Sequence, residues 1–201
     1  MDEKEIFAEL EKDELSEEVI QDNTYPFEYA AKNYRVVMPT QLQLSKAKRI
    51  KHRYFTQLVS EGTPLQKNWV KTLKETQNID IEKLQEELFR YQKDYAQLKI
   101  SEAKTKDSEE KTRAKIQAEQ QAVLNKLKEV STEISKCLEP AAEPQAKEEY
   151  LRYLTAECTE VLIDEKENKW ERVWKSWDDY QKDQTTFAII ALIKLCELID
   201  F

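Results

Sequence analysis

Four aromatic side chains near the C-terminus are the residues best suited to binding chemistry. Trp170, Trp174, Trp177 and Tyr180 follow one another at steps of four, three and three residues, and Val173 fits the same spacing. On a helix this spacing gathers the side chains on one broad face. Two interpretations stay open: the face packs against the apolar last helix, or it forms a groove for a partner segment, since Trp and Tyr dominate interface hot spots.

A block of cations is the second candidate binding surface. No acidic residue lies between Ala30 and Ser60, whereas this stretch contains seven cations: Lys32, Arg35, Lys46, Lys48, Arg49, Lys51 and Arg53. Such a block binds phosphates through counterion release, or it attracts an acidic protein. A solvated or internally paired helix face is the third interpretation. Residues 1–22 hold ten acids and two lysines, a net charge of −8, and could neutralise the same surface.

Catalytic chemistry is poorly represented in this chain. The single histidine, His52, lies between two cations, Lys51 and Arg53. The single glycine, Gly62, leaves no glycine-rich loop to cradle a phosphate. We therefore expect His52 on a helix surface, and we predict that the protein is not an enzyme.

Metal binding and acid–base chemistry are not indicated either. Cys137, Cys158 and Cys196 are far apart among apolar neighbours, which predicts reduced core thiols, with a reactive cysteine as the alternative. A structural zinc site needs four clustered Cys or His ligands, and the four in this chain are scattered. Adjacent carboxylates such as Asp178-Asp179 and Glu148-Glu149 point apart on a helix. We predict no metal and no cofactor.

The composition favours helices over sheets. One glycine, five prolines and 36% charged residues in 201 leave few residues for tight turns. We predict an all-α fold with at most one short extended segment, Arg35 to Met38, before Pro39. No apolar run is long enough to span a membrane. The N-terminus lacks the pattern of a secretory signal, which predicts a cytoplasmic protein.

The longest periodic segment, Asp80 to Cys137, predicts the scaffold. Two apolar seams recur at steps of three and four residues: Ile81, Leu84, Leu88, Tyr91, Tyr95 and Leu98, then Ile116, Val123, Leu127, Val130, Ile134 and Cys137. The polar gap between them predicts a turn near Lys104 to Asp107, and Asp107 with Glu110 has the form of a capping box. We predict an antiparallel coiled-coil hairpin. One continuous helix is the alternative, and it would require a homo-oligomer.

Four regions follow from these patterns. They are an acidic amphipathic segment at 1–25, a basic helical region at 26–79, the hairpin at 80–138 and an aromatic-rich helical region at 145–201. Within the second region, Thr40 caps a helix that carries the basic block, and Thr63-Pro64 starts the next helix. Within the last, a charged helix from about Glu165 carries the tryptophans, and Asp183 caps the final helix.

Several short stretches resemble a known group of proteins. Pro39-Thr40, Ala47-Lys48-Arg49, Arg53-Tyr54-Phe55 and Leu58 to Gly62 resemble the opening of accessory proteins from large contractile-tailed bacteriophages. Tyr153-Leu154, Cys158-Thr159 and Val173 to Tyr180 resemble their C-terminal pattern, a short motif followed by an aromatic helix of the form F-x-S-x-x-D-Y. The resemblance covers residues 36–200, except that the hairpin tip lacks the expected glycines. It implies a role in tail or baseplate assembly.

The leading functional hypothesis is a non-enzymatic virion-assembly protein that binds another tail or baseplate protein. Its contacts would come from the aromatic face or from Lys46, Arg49 and Arg53 on the basic helix, with the acidic segment modulating access. It would act in the host cytoplasm, as a chaperone or as a piece of the virion, without a membrane partner. The alternative is a small nucleic-acid-associated factor that uses the block from Lys32 to Arg53.

Overall fold

The computed structural model describes residues 23–105, 110–183 and 185–200. Within these ranges the chain forms seven helices and a four-stranded antiparallel sheet, so the predicted all-α fold class is wrong and the fold is α+β. In chain order the elements are β1 (Thr24–Tyr29), β2 (Lys32–Val37), α1 (Gln41–Ser60), α2 (Gln66–Gln77), α3 (Ile81–Lys104), α4 (Glu110–Leu138), α5 (Ala142–Cys158), β3 (Thr159–Asp164), β4 (Lys169–Arg172), α6 (Trp177–Lys182) and α7 (Thr186–Asp200).

The described residues separate into two compact units. Residues 23–57 and 146–200 form the first, which holds the sheet, and Leu58–Gln145 form the second, which holds the helical hairpin. No helix among the described residues is both long enough and apolar enough to cross a membrane.

The sheet begins with a hairpin whose turn contains no glycine. Tyr29 pairs with Lys32 across the two-residue turn Ala30-Ala31, and both alanines have positive φ, 50° and 58°. Two-residue hairpin turns that match the twist of the strands often need positive φ at both positions, and these positions are usually Asn and Gly. β2 continues the sheet to β3, and β3 to β4, all antiparallel. The single extended segment predicted at Arg35 to Met38 is thus one strand of four.

One face of the sheet packs against α7. The register pairs Tyr25 with Val36 and Phe27 with Tyr34, and Tyr25, Phe27 and Val36 are buried while Tyr34 is half-buried. The ring of Phe187 on α7 lies 4.5 Å from the ring of Tyr34 and 6.1 Å from that of Phe27, measured between ring centres. The last helix is therefore buried on the side that faces the sheet, whereas Ile189 and Ile199 on the same helix stay exposed.

One charged side chain lies inside this core. Lys194 is only 2% exposed, and its ammonium donates to the Tyr25 hydroxyl at 3.2 Å. The same nitrogen lies 3.5 Å from a carboxylate oxygen of Glu197 and 4.8 Å from the centre of the Tyr25 ring. Desolvation of an unpaired ammonium costs several kcal/mol, so these partners are what allows a lysine at this position of α7.

Helix α1 follows the sequence prediction closely. The Thr40 hydroxyl accepts from the Gln43 backbone N–H at 3.3 Å, and the Gln43 side chain accepts from the Thr40 N–H at 2.8 Å, which is a capping box. Helix α2 begins two residues later than Thr63-Pro64 predicts. The N–H of its first residue, Gln66, donates to the Glu143 carboxylate at 2.7 Å, so a residue distant in sequence supplies the cap.

Helices α3 and α4 form the predicted antiparallel hairpin, and the alternative of one continuous helix is wrong. Near its tip, the Glu102 carboxylate accepts from the side-chain amides of Gln117 and Gln120, each at 2.8 Å. These bonds tie the end of α3 to the beginning of α4. The proposed helix cap at Asp107 lies outside the described residues.

The base of the hairpin has a small core of its own. Leu73, Ile81 and Leu138 are buried together, and half-buried Ile134 packs against this cluster. The indole N–H of Trp69 donates to the Cys137 carbonyl at 2.7 Å. Helix α2 is thereby fixed against the end of α4.

The Ala30-Ala31 turn gives a stability prediction. Ala31→Gly should raise the free energy of unfolding by about 0.5–1 kcal/mol, because glycine occupies positive φ without the steric cost that a Cβ brings. Urea denaturation measures the change. The matched control is Ala96→Gly on the exposed side of α3, which should lower stability by about 1 kcal/mol. Equal losses at both positions would contradict the positive φ at Ala31.

Candidate functional site

The aromatic helix predicted from Glu165 onwards is wrong. Residues 159–172 form β3 and β4 instead, and the connecting turn places Asn168 at a positive φ of 49°. A separate short helix, α6, starts after Ser176, whose hydroxyl caps it by accepting from the Asp179 N–H at 3.2 Å. Pairing of β4 with β3, in which Trp170 lies opposite Leu162, outweighs the local helical pattern. The regular spacing of the tryptophans therefore does not reflect one helix, because they lie on a strand, a loop and a short helix.

Three of the four predicted aromatic residues nevertheless meet. Trp174 and Tyr180 are buried and pack edge to face, with ring centres 4.8 Å apart. Trp177, half-buried, stacks on Tyr180 at 5.4 Å with an angle of 13° between the ring planes. Burial raises the pKa of Tyr180 to about 12, so its phenol stays neutral. Trp174 and Tyr180 therefore pack in the core, which is the first of the two interpretations of the aromatic residues, whereas Trp177 is partly open to solvent.

Asp183 orients this cluster from the end of α6. One carboxylate oxygen accepts from the Trp174 indole N–H at 2.8 Å, and the other accepts from the N–H and hydroxyl of Thr185 at 2.9 and 2.6 Å. Burial alone would raise the pKa of Asp183, but the hydrogen bonds from Thr185 and Trp174 favour its ionised form and lower the pKa. Asp183 therefore ends α6 and binds Thr185, the residue before α7.

A cleft of about 700 Å³ opens beside the cluster, between α5, α6 and α7. Its volume is in the range of ordinary ligand-binding sites. One wall is apolar and includes Ile189, which is 48% exposed. The residues that line the cleft are Glu148, Glu149, Arg152, Trp177, Tyr180, Gln181, Asp183, Thr185, Ala188, Ile189 and Leu192.

The rim of the cleft is acidic. Three carboxylates, those of Glu148, Glu149 and Asp183, face a single cation, Arg152, which lies 3.4 Å from Glu148. Burial raises the pKa of Glu149 in spite of the nearby arginine. A cleft with an apolar wall and excess negative charge is suited to bind an apolar group that carries a cation.

The remaining predicted aromatic residue, Trp170, lies elsewhere. It is on β4, where the guanidinium of Arg35 covers its ring at 4.3 Å. Arg35 also pairs with the Glu160 carboxylate at 2.7 Å. Trp170 is thus held in a cation–π and ion-pair arrangement on the sheet and does not line the cleft.

The predicted basic contacts form a separate surface. Lys46, Arg49 and Arg53 are all exposed on α1, at steps of three and four residues that place them on one side of the helix. No ion pair between described residues involves these three cations. We call them the basic row. None of them lines the cleft.

The described residues offer little for covalent or metal chemistry. All three cysteines are free thiols, and burial raises the pKa of Cys158 to about 12, which keeps it protonated. His52 is exposed on α1, as expected. In the described ranges, no group of three or more Cys, His, Asp or Glu residues is arranged to hold a metal ion. Binding is the chemistry that the cleft supports.

Sequence reasoning identified Trp177 and Tyr180 but missed the rest of the cleft. Glu148 and Glu149 looked like a solvated pair, and Arg152 carried no signal. One clue was available in the composition of α7, which is apolar nearly all round. Such a helix has more apolar residues than one buried face can hold, so some of them, such as Ile189, stay exposed. The cleft also needs α5, which two strands separate from α6 and α7 in the sequence, so no local pattern records it.

The role of Asp183 can be tested by its pH dependence. Asp183→Asn should lower the free energy of unfolding at pH 7 by about 2 kcal/mol, because hydrogen bonds to the charged carboxylate are lost. Because the pKa of Asp183 is lower in the folded state, its ionised carboxylate stabilises the fold at pH values above the unfolded-state pKa of about 4. This stabilisation disappears as the pH falls through the folded-state pKa of Asp183. The difference between variant and wild type, followed by tryptophan fluorescence in urea, should therefore be constant above about pH 5 and shrink below about pH 4.

The control for this experiment is Asp94→Asn on the exposed surface of α3. This substitution should change the free energy of unfolding by less than about 0.5 kcal/mol, both at pH 7 and below about pH 4. A pH-independent difference for Asp183→Asn would contradict the charged hydrogen-bond network.

Comparison with known proteins gives no match among family models, curated proteins or solved structures. The resemblance to phage tail-assembly proteins therefore stays a prediction. A functional proposal must rest on the geometry of the cleft and of the basic row.

Proposed function

We propose that the protein is a non-enzymatic assembly factor, which binds a segment of another protein in the cleft between α5, α6 and α7. The single observation that carries this proposal is the open apolar wall of the cleft beside an acidic rim. In the setting that the sequence motifs suggest, the partner is a tail or baseplate protein of a contractile-tailed phage, bound during assembly or within the virion.

The apolar wall supports a protein ligand. Trp177 is half-buried and stacked on Tyr180, so its exposed edge is held in a fixed orientation. Ile189, nearly half exposed, adds an aliphatic surface on α7. Rigid aromatic and aliphatic side chains in a concave site are typical anchors of protein interfaces, because little conformational entropy is lost when a partner covers them.

The rim defines the chemistry of the bound segment. Glu148, Glu149 and Asp183 outnumber Arg152, so a segment with an apolar side chain next to a lysine or arginine is complementary to the cleft. An acidic segment would be repelled, and a purely apolar one would leave the excess negative charge of the cleft uncompensated.

The hairpin unit provides further apolar surface. Phe89 and Ile100 on α3 are 70% and 55% exposed. A two-helix hairpin buries one seam and leaves its outer sides in water, so isolated exposed residues here are suited to contacts with a second protein. This surface supports the assembly role but does not specify a partner.

A second candidate function, association with nucleic acid, is favoured by the basic row. Three exposed cations on one side of α1 are spaced along the helix like contacts to successive phosphates. Arg35, by contrast, pairs with Glu160, so this cation of the predicted block is not available to a phosphate. Salt-dependent binding of an oligonucleotide, weakened by Arg49→Gln, would support this second function.

Two isoleucines allow a matched test of the cleft. Ile189 in the cleft and Ile163 on β3 are 48% and 55% exposed and belong to the same unit. The chain is co-expressed with each tail and baseplate protein of the genome that encodes it. Ile189→Glu should reduce the copurifying partner at least tenfold, because a carboxylate placed on the apolar wall must be desolvated. Ile163→Glu should leave copurification unchanged.

Unfolding midpoints of both variants show whether the fold is intact. Equal loss of the partner in the two variants would contradict binding in the cleft. Absence of any partner for the wild-type chain would contradict the assembly role itself.

A further inference from the structure

A second row of side chains runs along α3, on the side away from α4. Its members lie at steps of four, three, four and three residues and are all exposed: Phe89, Lys93, Ala96, Ile100 and Ala103. At about 100° per residue, this row lies about 140° around the helix from the half-buried seam residues that face α4. We call it the outer seam, because its spacing is that of a coiled-coil seam.

Two large apolar residues dominate the outer seam. Phe89 is 70% exposed and Ile100 is 55% exposed, and they lie about 16 Å apart along the helix axis. Ala96 and Ala103 project little from the backbone, so a second helix can come close to α3 here. Apolar side chains at this spacing are stabilised when such a helix covers them.

The outer seam is complementary to itself when it is reversed. An antiparallel copy centred on the midpoint between Phe89 and Ile100 places these two residues opposite each other. Lys93 then lies opposite Ala96. Each contact occurs twice, as a two-fold interface requires.

We propose that α3 pairs with α3 of a second copy of this chain, antiparallel and through the outer seam. Other registers give poorer contacts. A shift of one heptad in one direction places Phe89 opposite Lys93, and it places Ile100 opposite Glu82. The same shift in the other direction places Phe89 beyond Lys104, the last residue of α3. The register with Phe89 against Ile100 therefore buries the most apolar surface.

The charges at the ends of the outer seam favour the same arrangement. Glu86 and Lys104 are both exposed, and five full turns separate them, so they lie on the same edge of the seam. In the proposed register, Glu86 faces Ala103 of the second copy and is next to its Lys104. A parallel pair would instead place Glu86 against Glu86 and Lys104 against Lys104, and like charges repel.

Lys93 limits the strength of the contact. The two copies of Lys93 lie about 4.5 Å apart along the axis, on either side of the centre of the interface. A lysine at one core position of a coiled coil specifies the register at a cost in stability. The dimer is therefore weak, and its population depends on the concentration of the chain.

The outer seam and the cleft belong to different compact units, so the dimer contact uses no residue of the cleft. A dimer carries two clefts and joins two partner segments. This consequence rests on the proposed function, whereas the dimer itself does not. A chain that still copurifies its partner but stays monomeric would contradict the pairing of α3 alone.

Sedimentation equilibrium of the full-length chain, in 50 mM salt, measures the association. Wild type should change from monomer to dimer as its concentration rises to about 0.5 mM. Ile100→Glu should weaken the dimer at least tenfold, because the new carboxylate would lie against Phe89 of the second copy. The matched control is Ile163→Glu on β3, at an isoleucine with the same 55% exposure, and it should leave the dimer unchanged. A wild-type chain that stays monomeric, or equal weakening by both substitutions, would overturn the proposal.

Lys93→Leu provides a test that a misfolded variant cannot imitate. Replacing the lysine by an apolar residue removes the repulsion at the centre of the interface and completes the seam. The variant should dimerise at least tenfold more tightly than wild type. An unchanged dissociation constant would show that Lys93 is not in the interface and would overturn the proposal.

Carbodiimide coupling tests the antiparallel direction, since this reagent joins a carboxylate to a lysine amine only when the two touch. Within one straight helix, Glu86 and Lys104 are about 27 Å apart, so an amide between them must join two chains. We expect this coupled pair in the dimer, with both isotopes represented when labelled and unlabelled chains are mixed. A dimer in which Glu86 never couples to Lys104 would rule out the proposed direction.

A charge exchange checks the same pair. Glu86→Lys or Lys104→Glu alone should weaken the dimer by about threefold or more in 50 mM salt, because each changes two symmetry-related contacts. The two substitutions together should restore the wild-type dissociation constant. Additive losses in the double variant would show that the two residues do not meet, against the proposal.

Discussion

The ring of Phe187, near the start of α7, lies between 4.5 and 6.1 Å from the ring centres of four other aromatic residues. These are Phe27, Tyr29 and Tyr34 in the first hairpin of the sheet and Trp174 in the loop before α6. Because side chains in a core are close-packed, the position of this ring fixes both the sheet and the aromatic cluster that borders the cleft. The other features of the first unit depend on this contact: α7 can present Ile189 to the cleft only while Phe187, two residues earlier, holds the helix against the strands.

The sequence predicts the parts of this protein whose signals are local and long. The hairpin of α3 and α4 has twelve seam residues at regular spacing, and the capping box at Thr40 fixes the start of α1. The sheet was missed because its signals are short and chemically unusual. Its first turn is Ala30-Ala31 at positive φ, whereas the dipeptide that usually indicates a hairpin turn of this type is Asn-Gly. Its third strand depends on pairing with β2, which lies more than a hundred residues earlier.

The candidate site was only partly predictable for the same reason. Trp177 and Tyr180 are conspicuous by residue type. They pack with Trp174 in the structure, although the helix that was predicted to carry all three is wrong. Glu149 and Ile189 become site residues only when α5 and α7 are brought together, so no pattern within either helix identifies them. The charges, in contrast, could be read from the sequence, because the acids of residues 1–22 and the cations of the basic row are segregated along the chain.

Amide hydrogen exchange of a Phe187→Ala variant tests most directly whether one contact organises the first unit. If Phe187 fixes both the sheet and the cluster beside the cleft, exchange should accelerate together in β1, β2 and α6, because the ring contacts the strands and Trp174 at once. Phe89→Ala, at a site 70% exposed on α3, provides the control and should leave these segments unchanged. Acceleration confined to α7, with β1, β2 and α6 as protected as in the wild type, would contradict the account.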